Sequence, residues 1–358
     1  MKLRNIRKSD FVAAVCFPAT VLMCVHVLLL GPHTLTPAAS PPYTDGHERY
    51  WALQMRVGSV RVDPPLNSTG ESNGEVLLVT PLLRCGSTTL KNLLARLALF
   101  NGFTMAASPP RKSEVVHIPS LAVQRDVVKN ISAFTNATAI MQSFAYTNFS
   151  RFEKKKPILV SLVREPVERA VSWYYHVRAP FQLVERHGLF PDIKFPTRKF
   201  LKKDLESCLK NPRDTECRYI SGKKMLGHTI EFFCGHDPYC PIFGDKQGLQ
   251  QAKTVVEREF AVVGVLEEWD KTLAVLEHYI PRYFNKATEI YYNELHGNKR
   301  LMNENFYKPK VEQAAKDFLR RNFTIEAEFY AFVRQRLLRQ HSAISDSTMS
   351  MPSTTAQS

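Results

Sequence analysis

Short runs of continuous apolar residues alternate along this chain with longer segments in which apolar residues recur at helical spacing. The runs lie at 76–80, 157–163 and 260–265, and a helical pattern follows each of them, at 88–100, 167–177 and 267–279. Uninterrupted apolar runs of this length are typical of strands that a parallel sheet buries on both faces. The alternation predicts an α/β domain with a central, mostly parallel sheet flanked by helices. Helical spacing returns at 309–339, with a predicted break at Asn322–Thr324.

The two ends of the chain differ from this middle part. Residues 1–10 are basic, and 11–31 form an apolar run of about twenty residues, long enough to cross a bilayer as a helix. The basic flank predicts a cytosolic tail and a type II membrane anchor, although a cleaved signal peptide fits the same pattern. Composition predicts a stem at 32–75 and a disordered, Ser/Thr-rich tail at 341–358. The folded lumenal domain is therefore expected at 76–340.

Either interpretation of the N-terminus places the domain in the secretory pathway, and glycosylation signals agree with that placement. Sequons for N-glycosylation occur at five asparagines, Asn67, Asn130, Asn136, Asn148 and Asn322. Five sequons in a chain of this size predict a glycoprotein.

The cysteines also suit an oxidising lumen. Two of the seven lie in the apolar N-terminal run, which leaves Cys85, Cys208, Cys217, Cys234 and Cys240. These predict two disulfides and one remaining thiol. We favour the local pairs, Cys208 with Cys217 and Cys234 with Cys240, because each closes a short segment. A zinc site is less well supported, because neither pair has the Cys-x-x-Cys spacing and no histidine cluster completes a site.

The charge balance narrows the choice of partner. The chain has 48 Lys and Arg against 34 Asp and Glu, a formal net charge of +14. Such a surface attracts anions, so nucleic acid, anionic lipid, nucleotides and acidic polymers are candidates. A lumenal location argues against nucleic acid.

A basic, hydroxyl-rich segment follows the first apolar run and opens the first predicted helix. It comprises Arg84, Cys85, Gly86, Ser87, Thr88 and Thr89. Backbone N–H groups and the dipole at a helix start favour an anion, although an ordinary capped helix with a surface arginine would show the same residues. The segment lacks the GxxxxGK[ST] pattern, which argues against an ATPase or GTPase.

The second apolar run also ends in residues suited to an anion. Arg164 follows its last residue, at the end of a strand where α/β sheets bind ligands, and Ser172 lies about two helical turns further on. A guanidinium fork with a hydroxyl suits a phosphate group. One ligand with two separated anionic groups would satisfy both segments.

Several motifs resemble those of the Golgi sulfotransferases, in particular the uronyl 2-O-sulfotransferases. The segments that carry the resemblance are Lys155–Ile158, Val163–Arg169, Val171–Tyr175, Phe232–His236 with Cys240, Ala287–Tyr291 and Glu328–Tyr330. Together they span roughly 76–340. The resemblance implies a P-loop-like sulfotransferase fold.

The resemblance also implies a substrate and a set of site residues. The sulfate donor would be 3′-phosphoadenosine 5′-phosphosulfate (PAPS), with its 5′-phosphosulfate on residues 84–89 and its 3′-phosphate on Arg164 and Ser172. Lys299 and Arg300 would contact the adenine side. The sulfuryl group would pass to the 2-hydroxyl of a uronic acid in heparan or dermatan/chondroitin sulfate, with no metal ion. The family implies a homo-oligomer, membrane-anchored in the Golgi with its catalytic domain in the lumen.

The sequence departs from the family at positions expected to be catalytic. Ser143 occupies the position of the family's general base, and Arg84 replaces a lysine of the donor loop. Serine is not a base at neutral pH, whereas a histidine has a suitable unperturbed pKa. His117 is the first candidate for a substitute base, and His176 is the second. The alternative function is a catalytically impaired relative that binds the donor or the glycan as a partner subunit.

Overall fold

The computed structural model describes residues 65–106, 117–192, 194–297 and 308–349. Five strands form one sheet: β1 (Asn73–Val79), β2 (Thr104–Ala106), β3 (Thr138–Met141), β4 (Pro157–Val163) and β5 (Phe260–Val265). All pairings are parallel, in the order β2-β3-β1-β4-β5. The predicted central parallel sheet is therefore confirmed.

Helices lie between and after these strands in the described chain. They are α1 (Ser87–Asn101), α2 (Leu121–Ser132), α3 (Pro166–His176), α4 (Pro180–Leu189), α5 (Arg198–Lys202), α6 (Leu205–Lys210), α7 (Thr229–Cys234), α8 (Lys246–Glu259), α9 (Trp269–Tyr279), α10 (Pro281–Phe284), α11 (Ala287–Ile290), α12 (Gln313–Arg320) and α13 (Thr324–Met349). Single 3-10 turns lie at Thr69–Glu71, Ser150–Phe152 and Leu266–Glu268, and a π-helical turn lies at Tyr291–Leu295.

The apolar runs form strands because the sheet is covered on both faces. Every residue of β4 and β5 is buried, as are the last four of β1. In the middle of the sheet, Leu78 pairs with Ile140 of β3 on one side and with Leu159 of β4 on the other. The burial of both faces explains why polar residues are rare in these strands.

The strand order fixes where a ligand can bind. The chain leaves β1 toward β2 and β3 on one side of the sheet, whereas β4 and β5 lie on the other side. A parallel sheet opens a crevice at such a switch point, beside the carboxyl ends of the two strands. That crevice lies between β1 and β4, where both predicted anion-binding segments begin.

A second, smaller apolar cluster holds the other face of α3. It packs Val167, Val171 and Tyr174 of α3 against Leu205 and Leu209 of α6, with Leu319, Phe323, Phe243 and the Cys208–Cys217 pair. Burial of these residues holds one face of α3 against the rest of the cluster. Its opposite face is therefore left to line the crevice.

The boundaries of the elements agree with the sequence patterns for β4 and β5 and shift slightly elsewhere. The predicted break in the C-terminal segment separates α12 from α13. Strands β2 and β3 were not predicted from the sequence, because three and four residues are too short to show a pattern.

The predicted tail at 341–358 needs a correction. Helix α13 continues through Met349, and Ile344 packs partly buried against the main core. Ser345 also donates a hydrogen bond to the His341 carbonyl, 3.2 Å away. The packing of Ile344 thus stabilises the helix within a segment whose Ser and Thr content predicted disorder. Residues 350–358 lie outside the described residues.

The predicted tail, anchor and most of the stem at the N-terminus lie outside the described residues. Within the described ranges, no helix combines the length and the apolar character that a membrane crossing needs. The five sequon asparagines are all described, and all five are exposed.

The two disulfides join Cys208 to Cys217 and Cys234 to Cys240, the local pairs favoured from the sequence. Cys85 is the free, buried thiol among the described cysteines. The first bridge closes the segment after α6, and the second closes the segment after α7.

Replacing Gly264 by alanine should destabilise the fold. An added Cβ would lie 2.3 Å from Thr272 Cγ2 and 2.6 Å from Leu162 Cδ2, contacts that α9 and β4 must move to relieve. Overpacking of this kind costs about 1–3 kcal/mol of the free energy of unfolding. Urea denaturation measures the change.

Gly74→Ala is the matched control, because a Cβ there meets nothing within 4 Å. Its free energy of unfolding should stay within about 0.5 kcal/mol of the parent value. Equal stability of the two variants would contradict the packing described for β5.

Candidate active site

The loop between β1 and α1, residues 80–86, has an unusual backbone. Arg84 adopts a φ of 68° and Gly86 a φ of 83°. The first is uncommon for a residue with a side chain, and such conformations cluster at functional sites. A Cβ on Gly86 would lie 2.8 Å from Leu266 Cδ1, so glycine is required for the close approach as well. Gly86 caps α1 without a side chain, an arrangement that suits an anion at the helix start.

The side chain of Arg84 crosses the crevice to α3. Its Nε donates a hydrogen bond to Ser172 Oγ at 2.9 Å, and its Nη1 lies 3.1 Å from His176 Nδ1. Ser172 and His176 are four residues apart and therefore share one face of the helix. The structure thus brings the two predicted anion-binding segments into direct contact through one guanidinium group.

Arg164 lies behind this contact, at the carboxyl end of β4. Its Nη1 donates to the Arg84 carbonyl at 3.4 Å, whereas its buried Nε has no hydrogen-bond partner among the described residues. A buried donor without a partner is costly, so it is suited to a ligand that supplies an acceptor. Burial, and then the nearby charge of Arg164, lowers the pKa of Arg84 from its ordinary value.

Two lysines that the sequence did not single out complete this positive region. Lys308 and Lys316 both pair with Glu168, with Nζ–oxygen distances of 3.4 and 2.5 Å, and Glu168 also lies 3.9 Å from Arg164 Nη2. Burial opposes ionisation of Glu168, but the two lysines hold its pKa below the usual value. Burial lowers the pKa of Lys308. The lysines were missed because nothing in their local sequence places them beside α3.

Arg169 of α3 fixes the loop from outside. Its Nε donates to the Leu83 carbonyl at 3.1 Å, its Nη2 to the Gly227 carbonyl at 2.7 Å, and its Nη1 to Thr229 Oγ1 at 3.5 Å. Arg164 donates to the Arg84 carbonyl and Arg169 to the Leu83 carbonyl. Guanidinium groups therefore bind two consecutive peptide groups of the loop. These bonds set the peptide planes of the loop and so the direction in which Arg84 extends.

The segment at 227–229, to which Arg169 donates hydrogen bonds, is itself bonded to the C-terminal helix α13. Glu326 of α13 is buried, and its carboxylate accepts hydrogen bonds from the backbone N–H groups of Thr229 and Ile230 at 3.1 and 3.3 Å. His228 Nδ1 lies 2.7 Å from the same carboxylate, and its Nε2 lies 3.0 Å from the Cys240 carbonyl. A continuous set of hydrogen bonds therefore connects α13, the second disulfide loop and the β1–α1 loop.

The candidate bases Ser143 and His117 lie apart from this contact. Ser143 follows β3, and its buried hydroxyl has no partner among the described residues. The ring of His117 meets that of His236 edge to face at 5.4 Å, and burial lowers the pKa of His117. Among the described residues, no hydrogen bond or ring contact joins either candidate to Arg84.

His236 is fully engaged in structural bonds. Its Nδ1 accepts a hydrogen bond from the Ile118 N–H at 3.0 Å, and its Nε2 lies 2.9 Å from Thr147 Oγ1. Burial, and then the neighbouring His117, lowers the pKa of His236 to about 4. It therefore holds the segment before α2 in place.

Lys299 and Arg300, the predicted contacts of the adenine side, lie outside the described residues. Within the described residues, no group of His, Cys, Asp and Glu side chains is arranged to hold a metal ion.

A parallel α/β sheet with two predicted anion-binding segments at one crevice is typical of the P-loop-like class. Comparison with family models then assigns the chain: the Sulfotransferase family model matches residues 75–333, so the chain belongs to that family. The resemblance seen in the sequence motifs is confirmed.

Curated relatives refine the comparison. The "Uronyl 2-sulfotransferase homolog pip" of Drosophila melanogaster is 35% identical, over 78% of this chain and 55% of its own length. The uronyl 2-sulfotransferase of Mus musculus is 28% identical, over 71% of this chain and 60% of its own. Heparan sulfate 2-O-sulfotransferase 1 of Gallus gallus is 29% identical, over 74% of this chain and 71% of its own length. The chain thus spans less than two thirds of the first two relatives.

Arg169→Lys should loosen the β1–α1 loop while keeping the positive charge. A lysine cannot bind three oxygens in the geometry of the guanidinium fork, and each lost bond to a charged donor is worth about 1.5–3 kcal/mol. We expect the amides of residues 82–89 to exchange with solvent at least about 10-fold faster, as measured by hydrogen exchange with mass spectrometry.

Arg336→Lys is the control. Arg336 is a buried arginine of α13 whose Nη2 donates to the Phe260 carbonyl at 2.8 Å, at the opposite end of the strands. Its substitution should leave exchange at 82–89 unchanged. Unaltered exchange at these amides in Arg169→Lys would refute the role given to Arg169.

Proposed function

We propose that this chain is a sulfotransferase that moves a sulfuryl group from PAPS to the 2-hydroxyl of a uronic acid in a glycosaminoglycan. The observation that carries the proposal is the contact of Arg84 with Ser172, which joins the two predicted anion-binding segments. Family membership implies PAPS as the donor, and the relatives are a uronyl 2-sulfotransferase, a homologue of that enzyme and a heparan sulfate 2-O-sulfotransferase.

The donor has two separated anionic ends, and the site offers a set of groups for each. Residues 84–89 would hold the 5′-phosphosulfate with Arg84 and the amides at the start of α1. Arg164, with its unpartnered Nε, and Ser172 would hold the 3′-phosphate. Lys308, close to Glu168, would add positive charge on that side. Lys299 and Arg300 remain proposed contacts of the adenine side.

Catalysis would rest on positioning and charge neutralisation. Sulfuryl transfer, like phosphoryl transfer, places the attacking and leaving oxygens in line and needs little covalent participation by the protein. Arg84 would neutralise the charge that develops on the leaving phosphate oxygen. Its rigid fork replaces the mobile point charge of a lysine, so the loop must place it accurately. The bonds of Arg164 and Arg169 to the loop carbonyls supply that accuracy.

The acceptor, location and assembly follow from charge and sequence signals. A net charge of +14 suits an acidic polysaccharide such as heparan or dermatan/chondroitin sulfate. The apolar run at 11–31 would anchor the protein in the Golgi membrane, with the exposed sequon asparagines in the lumen. A homo-oligomer is proposed on the family resemblance. The alternative of an inactive binding subunit rests on Ser143 and is less well supported than an enzyme.

The test is transfer of labelled sulfate from PAPS by the purified full-length protein to desulfated heparan and dermatan chains. Disaccharide analysis should place the label on the 2-position of a uronic acid. Binding of 3′-phosphoadenosine 5′-phosphate without transfer to either chain would instead support the binding subunit. Absence of both would refute the proposal.

Arg164→Ala should raise the Kd for 3′-phosphoadenosine 5′-phosphate about 10- to 100-fold, because bonds between charged groups worth about 1.5–3 kcal/mol are lost. Isothermal titration calorimetry measures the affinity. Arg218→Ala is the control, since Arg218 bonds to the Asp214 and Asn211 carbonyls in the first disulfide loop. Unchanged affinity in Arg164→Ala would remove Arg164 from the phosphate site.

A further inference from the structure

His176 occupies the last turn of α3, one helical turn beyond Ser172, and both residues contact Arg84. Its ring is half-buried. Trp173 lies 5.9 Å away on the same helix and Phe181 lies 6.5 Å away on α4, measured between ring centroids. Trp173 is 39% and Phe181 41% exposed, so the aromatic residues around His176 face solvent as well as the core. This edge of the crevice is therefore accessible from solvent.

The contact with Arg84 determines the tautomer of His176. A guanidinium group only donates hydrogen bonds, so His176 Nδ1 must accept, with its lone pair directed at Arg84. The ring proton then resides on Nε2, and the imidazole is neutral. Burial, and then the charge of Arg84, lowers the pKa of His176 to about 4. Arg84 is the charged group that faces the ring, while Trp173 and Phe181 are uncharged.

We propose that His176, in place of Ser143 or His117, takes the proton of the acceptor hydroxyl. The assignment rests on the proposed sulfotransferase function. Arg84 belongs to the predicted phosphosulfate segment, and its side chain contacts a basic nitrogen of His176. Neither other candidate has that link.

The donor itself would free the base. When Arg84 turns to the negative charge of the phosphosulfate, the lone pair of His176 Nδ1 loses its partner and becomes available to a hydroxyl. The acceptor oxygen then forms a bond to sulfur, and its proton passes to Nδ1. The bond between sulfur and the bridging phosphate oxygen breaks, and its electron pair leaves with 3′-phosphoadenosine 5′-phosphate. The imidazolium releases the proton to water.

The order of these contacts has a chemical consequence. Without donor, the lone pair of His176 is engaged by Arg84 and cannot activate a hydroxyl or a water molecule. With donor, one movement of Arg84 both neutralises the leaving group and releases the base. Proton removal would therefore be coupled to donor binding.

The variant His176→Gln tests the assignment, because its amide oxygen can still accept a hydrogen bond from Arg84 but cannot take up a proton at neutral pH. We expect kcat for sulfate transfer to fall about 10²- to 10⁴-fold, with the Kd for 3′-phosphoadenosine 5′-phosphate within about 2-fold of the wild type. His187→Gln is the matched control, since His187 is a half-buried histidine of α4 that packs on Phe195. Its kcat should match the wild type.

Two further measurements separate a base from a structural residue. Added imidazole should partly restore kcat to His176→Ala, which a purely structural histidine would not allow. In the wild type, kcat/KM for the donor should fall only below about pH 5, because it reports the donor-free enzyme, in which the pKa of His176 is lowered to about 4 and the base works in its neutral form. That acid limb should disappear in His176→Gln.

Transfer by His176→Gln within about 3-fold of the wild type would overturn the assignment, as would loss of transfer in His117→Gln with rescue of His117→Ala by imidazole. A wild type that binds the nucleotide but transfers no sulfate would overturn the proposed function itself.

Discussion

The reach of one guanidinium group across the crevice between β1 and β4 is the interaction on which the site depends. Arg84 can contact Ser172 and His176 because the β1–α1 loop turns through a left-handed conformation at Arg84. That conformation is unfavourable for a residue with a side chain, so it persists only where surrounding bonds hold it. Arg164 and Arg169 provide those bonds at the two adjacent carbonyls. The left-handed backbone at Arg84 therefore depends on the hydrogen bonds that Arg164 and Arg169 donate to the loop.

The same arrangement concentrates positively charged side chains at the crevice. Arg84, Arg164, Arg169 and Lys308 meet near the crevice, and Glu168 is the carboxylate that pairs with Arg164 and Lys308 among the described residues. Burial and Arg164 already disfavour the charged form of Arg84. A bound dianion would relieve this repulsion, so binding of the proposed donor would stabilise the folded state through mass action.

The parts of this structure that the sequence predicted are those with local signals. Strands β4 and β5 are continuous apolar runs, and Arg164 and Ser172 follow from their spacing after a strand. Strands β2 and β3 have too few residues for a pattern, and Ile344 carries α13 into a segment whose composition suggests disorder. The hydrogen bond from Arg169 to the Gly227 carbonyl joins residues 58 positions apart. Only the tertiary fold determines such a contact. The contact of Arg84 with His176, over 92 positions, is of the same kind.

The position of the proposed base explains how the protein can dispense with a histidine after β3. A base at Ser143 would be carried by the segment after β3, whereas the proposed phosphate contact Ser172 is carried by α3. With His176 as the base, the hydroxyl of Ser172 and the basic nitrogen lie one turn apart on a single helix, about 6 Å along its axis. The apolar cluster of α3, α6 and α12 packs against the other face of α3 and holds the helix in place. The distance between the proposed phosphate contact and the proposed base would therefore be set by helix geometry, and Arg84 would be the group that moves when the donor binds.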